Sequence, residues 1–249
     1  MDHLLRATAR AEARHFWFRG FRAFVTPLLQ RAAGSRTDKR LLDCGCGTGA
    51  NVDLLDAFGR AYGFDLTEVG LRIGREAGRT RLARASVTAV PFPSASMDIV
   101  TSFDVLYSLE KEDEQTAIGE MFRLLKPGGF ALVNVAAMNV LRGDHSVLSR
   151  EVRRYSRQEL REKLERAGFQ IERITYTNAT LFIPLALSRM LQRRRGLRGE
   201  GETEAEITVP PAPINAMMTA VMQLEALWLR AFDAPFGSSL LCLARKPTA

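Results

Sequence analysis

The stretch that decides the fold is Leu41-Leu42-Asp43-Cys44-Gly45-Cys46-Gly47-Thr48-Gly49-Ala50. An apolar run ends in an acid, and three glycines follow at every second position. The pattern reads as a buried strand that stops, turns sharply and opens a helix. Glycines in such a turn take positive φ and let a ligand approach with no Cβ in the way. A ligand with a charged or polar centre is expected there, and Asp43 places a carboxylate beside it. Taken alone, Gly45-x-Gly47-x-x-Ala50 also satisfies the dinucleotide fingerprint. The acid directly before the glycines weighs against that ligand, because it repels a pyrophosphate and attracts an ammonium or a sulfonium.

Outward from this turn, strands and helices alternate. Strands are expected over Lys39 to Cys44, Arg60 to Phe64, Arg81 to Ala85, Met97 to Phe103, Phe130 to Ala136, Phe169 to Thr177 and Ser239 to Arg245. Helical spacing covers 8–33, 49–58, the stretch after Thr67, 112–125, and the run opened by the capping box Ser156-Arg157-Gln158-Glu159. Two apolar helices follow, over 179–195 with Pro184 in the first turns and over 214–232, separated by a Gly-, Glu- and Pro-rich loop. The alternation means an α/β, Rossmann-like doubly wound sheet of seven mostly parallel strands. Its ligand belongs at the carboxyl ends of the strands, where the glycine turn already lies. One domain is expected: an N-terminal cap helix over 1–36, a core over 37–178, a helical insertion or lid over 179–236, and a last strand over 237–249.

Five ordered motifs carry a family resemblance. Asp43-x-Gly45-x-Gly47-x-Gly49 resembles motif I of the class I S-adenosylmethionine-dependent methyltransferases. Tyr62-Gly63-Phe64-Asp65 resembles that family's second strand, and Val90 to Val100 the stretch leading into its fourth. Ser102-Phe103-Asp104-Val105-Leu106 resembles the end of strand four, and Met121 to Gly129 the turn before strand five. The resemblance implies methyl transfer from S-adenosyl-L-methionine, leaving S-adenosyl-L-homocysteine. It implies that Gly45, Cys46, Gly47 and Gly49 lie along the cofactor, that Asp43 orients its ammonium, and that Asp65 accepts from both ribose hydroxyls. Leu66 and Phe64 would flank the adenine, with Phe103 nearby. Ala85-Ser86-Val87 departs from the family's usual Gly-Asp-Ala, so Ser86 replaces an acid and the Val87 backbone reads the ring edge. Tyr107 and Ser108 stand where many relatives have Glu and His, which removes a usual base position.

The sulfonium methyl is already activated, so an enzyme mainly aligns it and excludes water. A base is needed only where the nucleophile carries a proton. His145, just after strand five, His15 in an aromatic N-terminal cluster, and Tyr107 are the candidate catalytic residues. Trp17 and the basic-aromatic run Arg153-Arg154-Tyr155 are candidates for binding the acceptor.

The chain has 249 residues, a formal charge of +7, three cysteines and three histidines. Cys44 and Cys46 have no second pair nearby, so neither a zinc site nor a disulfide framework is expected. No apolar run is long enough for a membrane span, and Met1 to Arg14 lacks a signal core, so a cytoplasmic protein is expected. The arginines are interspersed with glutamates, which argues against nucleic acid as partner. Strand four lacks the Asn/Asp-Pro-Pro-aromatic motif of adenine and glutamine methyltransferases. A small-molecule or lipid-like acceptor is therefore expected, with a non-catalytic regulatory domain or an RNA methyltransferase as alternatives. The segment from Thr180 to Leu187, trailed by Arg189, Arg193, Arg194 and Arg195, suits a lid, a homodimer face or a peripheral membrane contact.

Overall fold

In chain order the α-helices and strands are α1 (Asp2–Ala11), α2 (Phe16–Ala33), β1 (Lys39–Cys44), α3 (Ala50–Leu55), β2 (Gly59–Asp65), α4 (Glu68–Glu76), β3 (Leu82–Arg84), β4 (Met97–Phe103), α5 (Lys111–Leu124), β5 (Leu125–Ala136), α6 (Arg157–Arg166), β6 (Gln170–Thr177), α7 (Phe182–Arg195), α8 (Ala212–Trp228) and β7 (Ser239–Arg245). They come from a computed structural model, which describes residues 2–144, 146, 151–195 and 207–248. His145 and residues 197–206 of the expected Gly-rich loop lie outside the described residues.

One sheet holds all seven strands in the order β3-β2-β1-β4-β5-β7-β6. Strands β1 to β5 pair in parallel, and β7 runs antiparallel to both β5 and β6. The chain leaves β1 toward β2 and β3, then returns across β1 to β4. The crevice between β1 and β4 is thus the topological switch point, and the glycine turn after β1 opens into it. Leu41 and Leu42 of β1 are fully buried, as are Ile99, Val100, Leu132 and Val133 of the neighbouring strands. Strands covered by helices on both faces need such continuous apolar runs, which is why this stretch reads so clearly.

The expected N-terminal helix is two helices. The break falls at residues 12–15, where His15 takes an extended conformation and its side chain accepts from Trp17 N–H. The helix after the glycine turn is also shorter than expected, closing in a 3-10 turn over Asp56–Phe58. Strand β5 begins at Leu125, ahead of the expected Phe130, because Leu125 pairs with Met97 before the register shifts.

The insertion expected over 179–236 is helical and anchored at both ends. Asn215 in α8 accepts from Phe16 N–H at 2.8 Å and donates to Arg14 O at 2.9 Å. Gly20 of α2 lies so close to Met222 of α8 that any Cβ there would displace it. Glu225 of α8 accepts from the N–H groups of Ala179 and Thr180 and from the Thr180 hydroxyl. Helix α7 packs over the segment just beyond β5, where Gly143 abuts Arg189.

Candidate active site

Asp43 ends up sealed in the middle of the sheet, 1% exposed, opposite Thr101 of β4. Its Oδ1 accepts from the Thr101 hydroxyl at 2.6 Å, and its Oδ2 has no partner. Burial pushes this carboxyl up to about 7, against the Thr101 hydrogen bond and with added repulsion from Asp65. A buried carboxyl with one orphaned oxygen is costly unless a donor arrives. Asp43 Oδ2 thus has room for one further donor.

The glycine loop is tied to the end of β2. Gly45 and Cys46 both donate to Phe64 O at 2.9 Å. Gly45 sits at φ +80°, and a Cβ on it would lie 2.4 Å from Val105 Cγ2. Gly47, at φ +56°, donates to Asp65 Oδ2 at 2.8 Å, and Thr67 N–H donates to Asp65 Oδ1 at 2.8 Å. Both oxygens of Asp65 are therefore fixed, and each keeps a further lone pair for a ligand hydroxyl. A carboxyl oxygen without a partner, a cradle that only glycine leaves open, and a pinned carboxylate together fit the ammonium and ribose of S-adenosylmethionine.

The remaining cofactor-side candidates divide. Leu66 is 63% exposed next to Asp65, as a wall for a flat ring requires. Phe64 is fully buried in the core, which corrects its expected place against the adenine. Cys46 is buried with its Sγ toward Gly63 of β2, where burial raises the thiol pKa, so only its backbone remains to line the loop. Ser86 Oγ lies 2.7 Å from Thr88 Oγ1 and accepts from Thr88 N–H, closing a tight turn; Val87 at its tip is half-buried. Phe103 meets Phe21 of α2 edge-on, with ring centroids 5.0 Å apart.

Several acceptor-side candidates are engaged inside the fold. His15 spends Nδ1 on Trp17 N–H at 3.1 Å and stacks on Phe16, and burial lowers its pKa. It is the N-cap of α2, and the lone pair a base needs is taken. Arg153 pairs with Glu114 of α5, and Tyr155 OH donates to the same carboxylate at 2.5 Å. Arg154 grips Glu151 through two nitrogens and also donates to Ala137 O. Arg153, Arg154 and Tyr155 thus form a clamp between α5 and the segment before α6, which corrects their expected place as acceptor-binding residues. Tyr107 is buried, and its carbonyl accepts from Val152 N–H. Trp17 is half-buried against the core.

Sequence reasoning missed three polar residues. Glu12 is 8% exposed, accepts from the Thr48 hydroxyl at 2.7 Å and lies 3.6 Å from Arg79. It clasps the α1–α2 junction onto the glycine loop. Asp104, next after β4, and Asn134 of β5 face each other at the carboxyl edge, with Asn134 Nδ2 donating to Asp104 Oδ1 at 2.9 Å. The only sequence signal for Asp104 was its place after strand four.

A family model described as a methyltransferase domain matches residues 42–133. A protein of Mycolicibacterium smegmatis, described as a "probable S-adenosylmethionine-dependent methyltransferase", is 32% identical over 64% of this chain and 61% of its own length. The chain thus spans less than two thirds of that relative. The ubiquinone/menaquinone biosynthesis C-methyltransferase UbiE of Photorhabdus laumondii is 32% identical over 60% of this chain and 72% of its own length. Among solved structures, phosphoethanolamine N-methyltransferase 2 of Haemonchus contortus, in complex with S-adenosyl-L-methionine, has a TM-score of 0.62 at 18% identity. That match covers 99% of this chain and 57% of the other, and at this identity it shows the fold alone.

Proposed function

The chain belongs to the class I S-adenosylmethionine-dependent methyltransferases, and from that premise we propose that it methylates a small, apolar acceptor of the hydroquinone or lipid-like kind. S-adenosylmethionine, when bound, supplies an electrophilic methyl on a sulfonium. The chain's residues hold and enclose it. Asp43 orients the ammonium from beneath the glycine loop, directly or through water, the loop gives room for the methionine chain, and Asp65 takes the ribose hydroxyls. Glu12 keeps α1 over the loop and restricts water. The Phe21–Phe103 pair walls the acceptor side beside the end of β4.

The observation that carries the acceptor class is the set of exposed apolar side chains on the two helices of the insertion. Ile183, Leu187 and Leu191 of α7 and Leu224, Leu227 and Trp228 of α8 are all exposed. Arg194 and Arg195 at the end of α7 and Arg230 just after α8 are exposed as well. Exposed apolar side chains of this kind, with tryptophan and arginine among the exposed residues, suit the surface of an anionic bilayer. No helix among the described residues is long and apolar enough to cross a membrane. Contact with the bilayer is therefore peripheral and brings the enzyme to acceptors dissolved there. The likeness to UbiE supports the quinone side of this reading.

The test presents a prenylated hydroquinone in anionic vesicles, with methyl-labelled S-adenosylmethionine. Label in the extracted quinone, with protein floating with the vesicles at low salt, is expected. Label confined to RNA or protein, or no transfer, contradicts the acceptor class. Protein that stays at the bottom of the gradient contradicts the membrane contact.

A further inference from the structure

We propose that Asp104 is the base that takes the hydroxyl proton of the acceptor. The inference rests on the acceptor class put forward above.

Asp104 directly follows β4, at the carboxyl edge beside the switch point. Its neighbour Val105 touches Gly45 of the glycine loop. Its backbone is left-handed, at φ +61°, a conformation uncommon for residues with a side chain, though aspartate tolerates it better than most. Asn134 imposes it twice. Asp104 N–H donates to Asn134 O at 3.0 Å, and Asn134 Nδ2 donates back to Asp104 Oδ1 at 2.9 Å. Asn134 is itself buried, so this grip is rigid. Strain of this kind gathers at functional sites.

The grip fixes one oxygen and leaves the other. Among the described residues no donor reaches Asp104 Oδ2. Asp104 is exposed, whereas Asp43 is sealed beneath the loop. Solvent reaches Asp104, and Asn134 of β5 holds its Oδ1. Desolvation by the surrounding fold raises its pKa to about 7, against the Asn134 hydrogen bond. Glu151 adds to the rise and Arg154 opposes it, and these two charges pair with each other in the segment before α6. A base whose pKa lies near working pH is matched to proton transfer. The other candidate bases among the described residues contrast with it: His15 has its lone pair engaged, and Tyr107 is buried.

With a hydroquinone as acceptor, Asp104 acts on one hydroxyl. The O–H bond breaks and its proton goes to Asp104 Oδ2. The oxygen's electron pair moves into the ring, whose carbon forms the new bond to the methyl. The donor's carbon–sulfur bond breaks with its pair on sulfur. The ring C–H proton then leaves to water, and Asp104 returns its proton to the oxygen. Asn134 acts through Asp104 and is a positioning residue.

The test compares wild type with Asp104→Asn, which keeps shape and removes the negative charge. Wild-type kcat/KM for the hydroquinone is expected to rise with pH to a plateau above an apparent pKa near neutrality. The variant is expected to lose about 100-fold or more and to lose that rising limb, with affinity for S-adenosylhomocysteine unchanged. A His145→Gln variant is expected to keep the limb. A second readout is independent of turnover. In protein labelled with 13C at aspartate carboxyls, the resonance lost in Asp104→Asn titrates near neutrality and shifts on adding 1-naphthol as a phenolic probe. An unchanged pH profile in Asp104→Asn, or loss of the limb in His145→Gln alone, overturns the base. Absence of turnover by wild type overturns the acceptor class, and the carboxyl titration then decides Asp104 by itself. An Asp104 resonance that titrates as an ordinary carboxylate and ignores the probe overturns it.

Discussion

Asp43 shows how much a single residue determines here. The fold removes its carboxyl from water and gives one oxygen a hydroxyl partner and the other none. Its pKa rises from 3.8 to about 7. The native state therefore binds more protons than the unfolded chain between those values, and stability falls as pH rises through that window. Asp104 and Glu12 are raised as well and contribute with the same sign. Urea unfolding of the free protein at about pH 5 and about pH 8 is expected to show the loss. Asp43→Asn is expected to flatten the slope by about one proton's share; an unchanged slope contradicts the assignment. The importance of Asp43 was legible in the sequence, because an acid before glycines is a chemical pattern. That of Asp104 was not, because its signal is a backbone torsion and a partner 30 residues away in β5. The run Arg153-Arg154-Tyr155 misled for a related reason: Glu114, which neutralises Arg153, lies on α5, far off in the chain.

Between elements, the notable joint is that of α1 with the glycine loop. Leu5 of α1 approaches Gly47, and Glu12 holds Thr48 and faces Arg79. A hydrogen bond to a charged group contributes about 1.5–3 kcal/mol. Glu12→Ala is therefore expected to release α1 locally while the sheet stays intact. Hydrogen exchange should rise over residues 5–11 by about tenfold or more, with β1 and β4 unaffected. Equal protection in the variant would show that apolar packing alone seats α1. The sequence announced a helix in this region and missed its break. Periodicity extends through residues 12–15, and the break is held by His15 bonding to Trp17 N–H and by Asn215 of α8 bonding Phe16 N–H and Arg14 O. The strands were easier, since β1 and β4 are buried on both faces and read as unbroken apolar runs. The start of β5 was obscured by Pro127, Gly128 and Gly129, which look like a turn and are carried within the strand.

At the level of the whole molecule, sheet order explains why five short motifs far apart in sequence act together. The strand order places the ends of β1, β2 and β4 side by side, so Asp43, Asp65 and Asp104 border one crevice. The insertion was legible as two apolar helices, but its docking was not. Anchors such as Asn215 on Phe16 and Glu225 on Thr180 join residues far apart in the chain. The proposed acceptor class rests on the insertion, while the crevice carries the motifs shared with the family.

The most direct measurement is calorimetric titration of S-adenosylhomocysteine into wild type and Asp65→Ala. The wild-type chain should bind one molecule. Loss of Asp65 removes the ribose contacts and the anchor of Gly47 and Thr67, and should weaken binding at least about tenfold, or about 1.4 kcal/mol. Equal affinity in the variant, or no heat from wild type at about millimolar ligand, would contradict the placement of the methyl donor in this crevice.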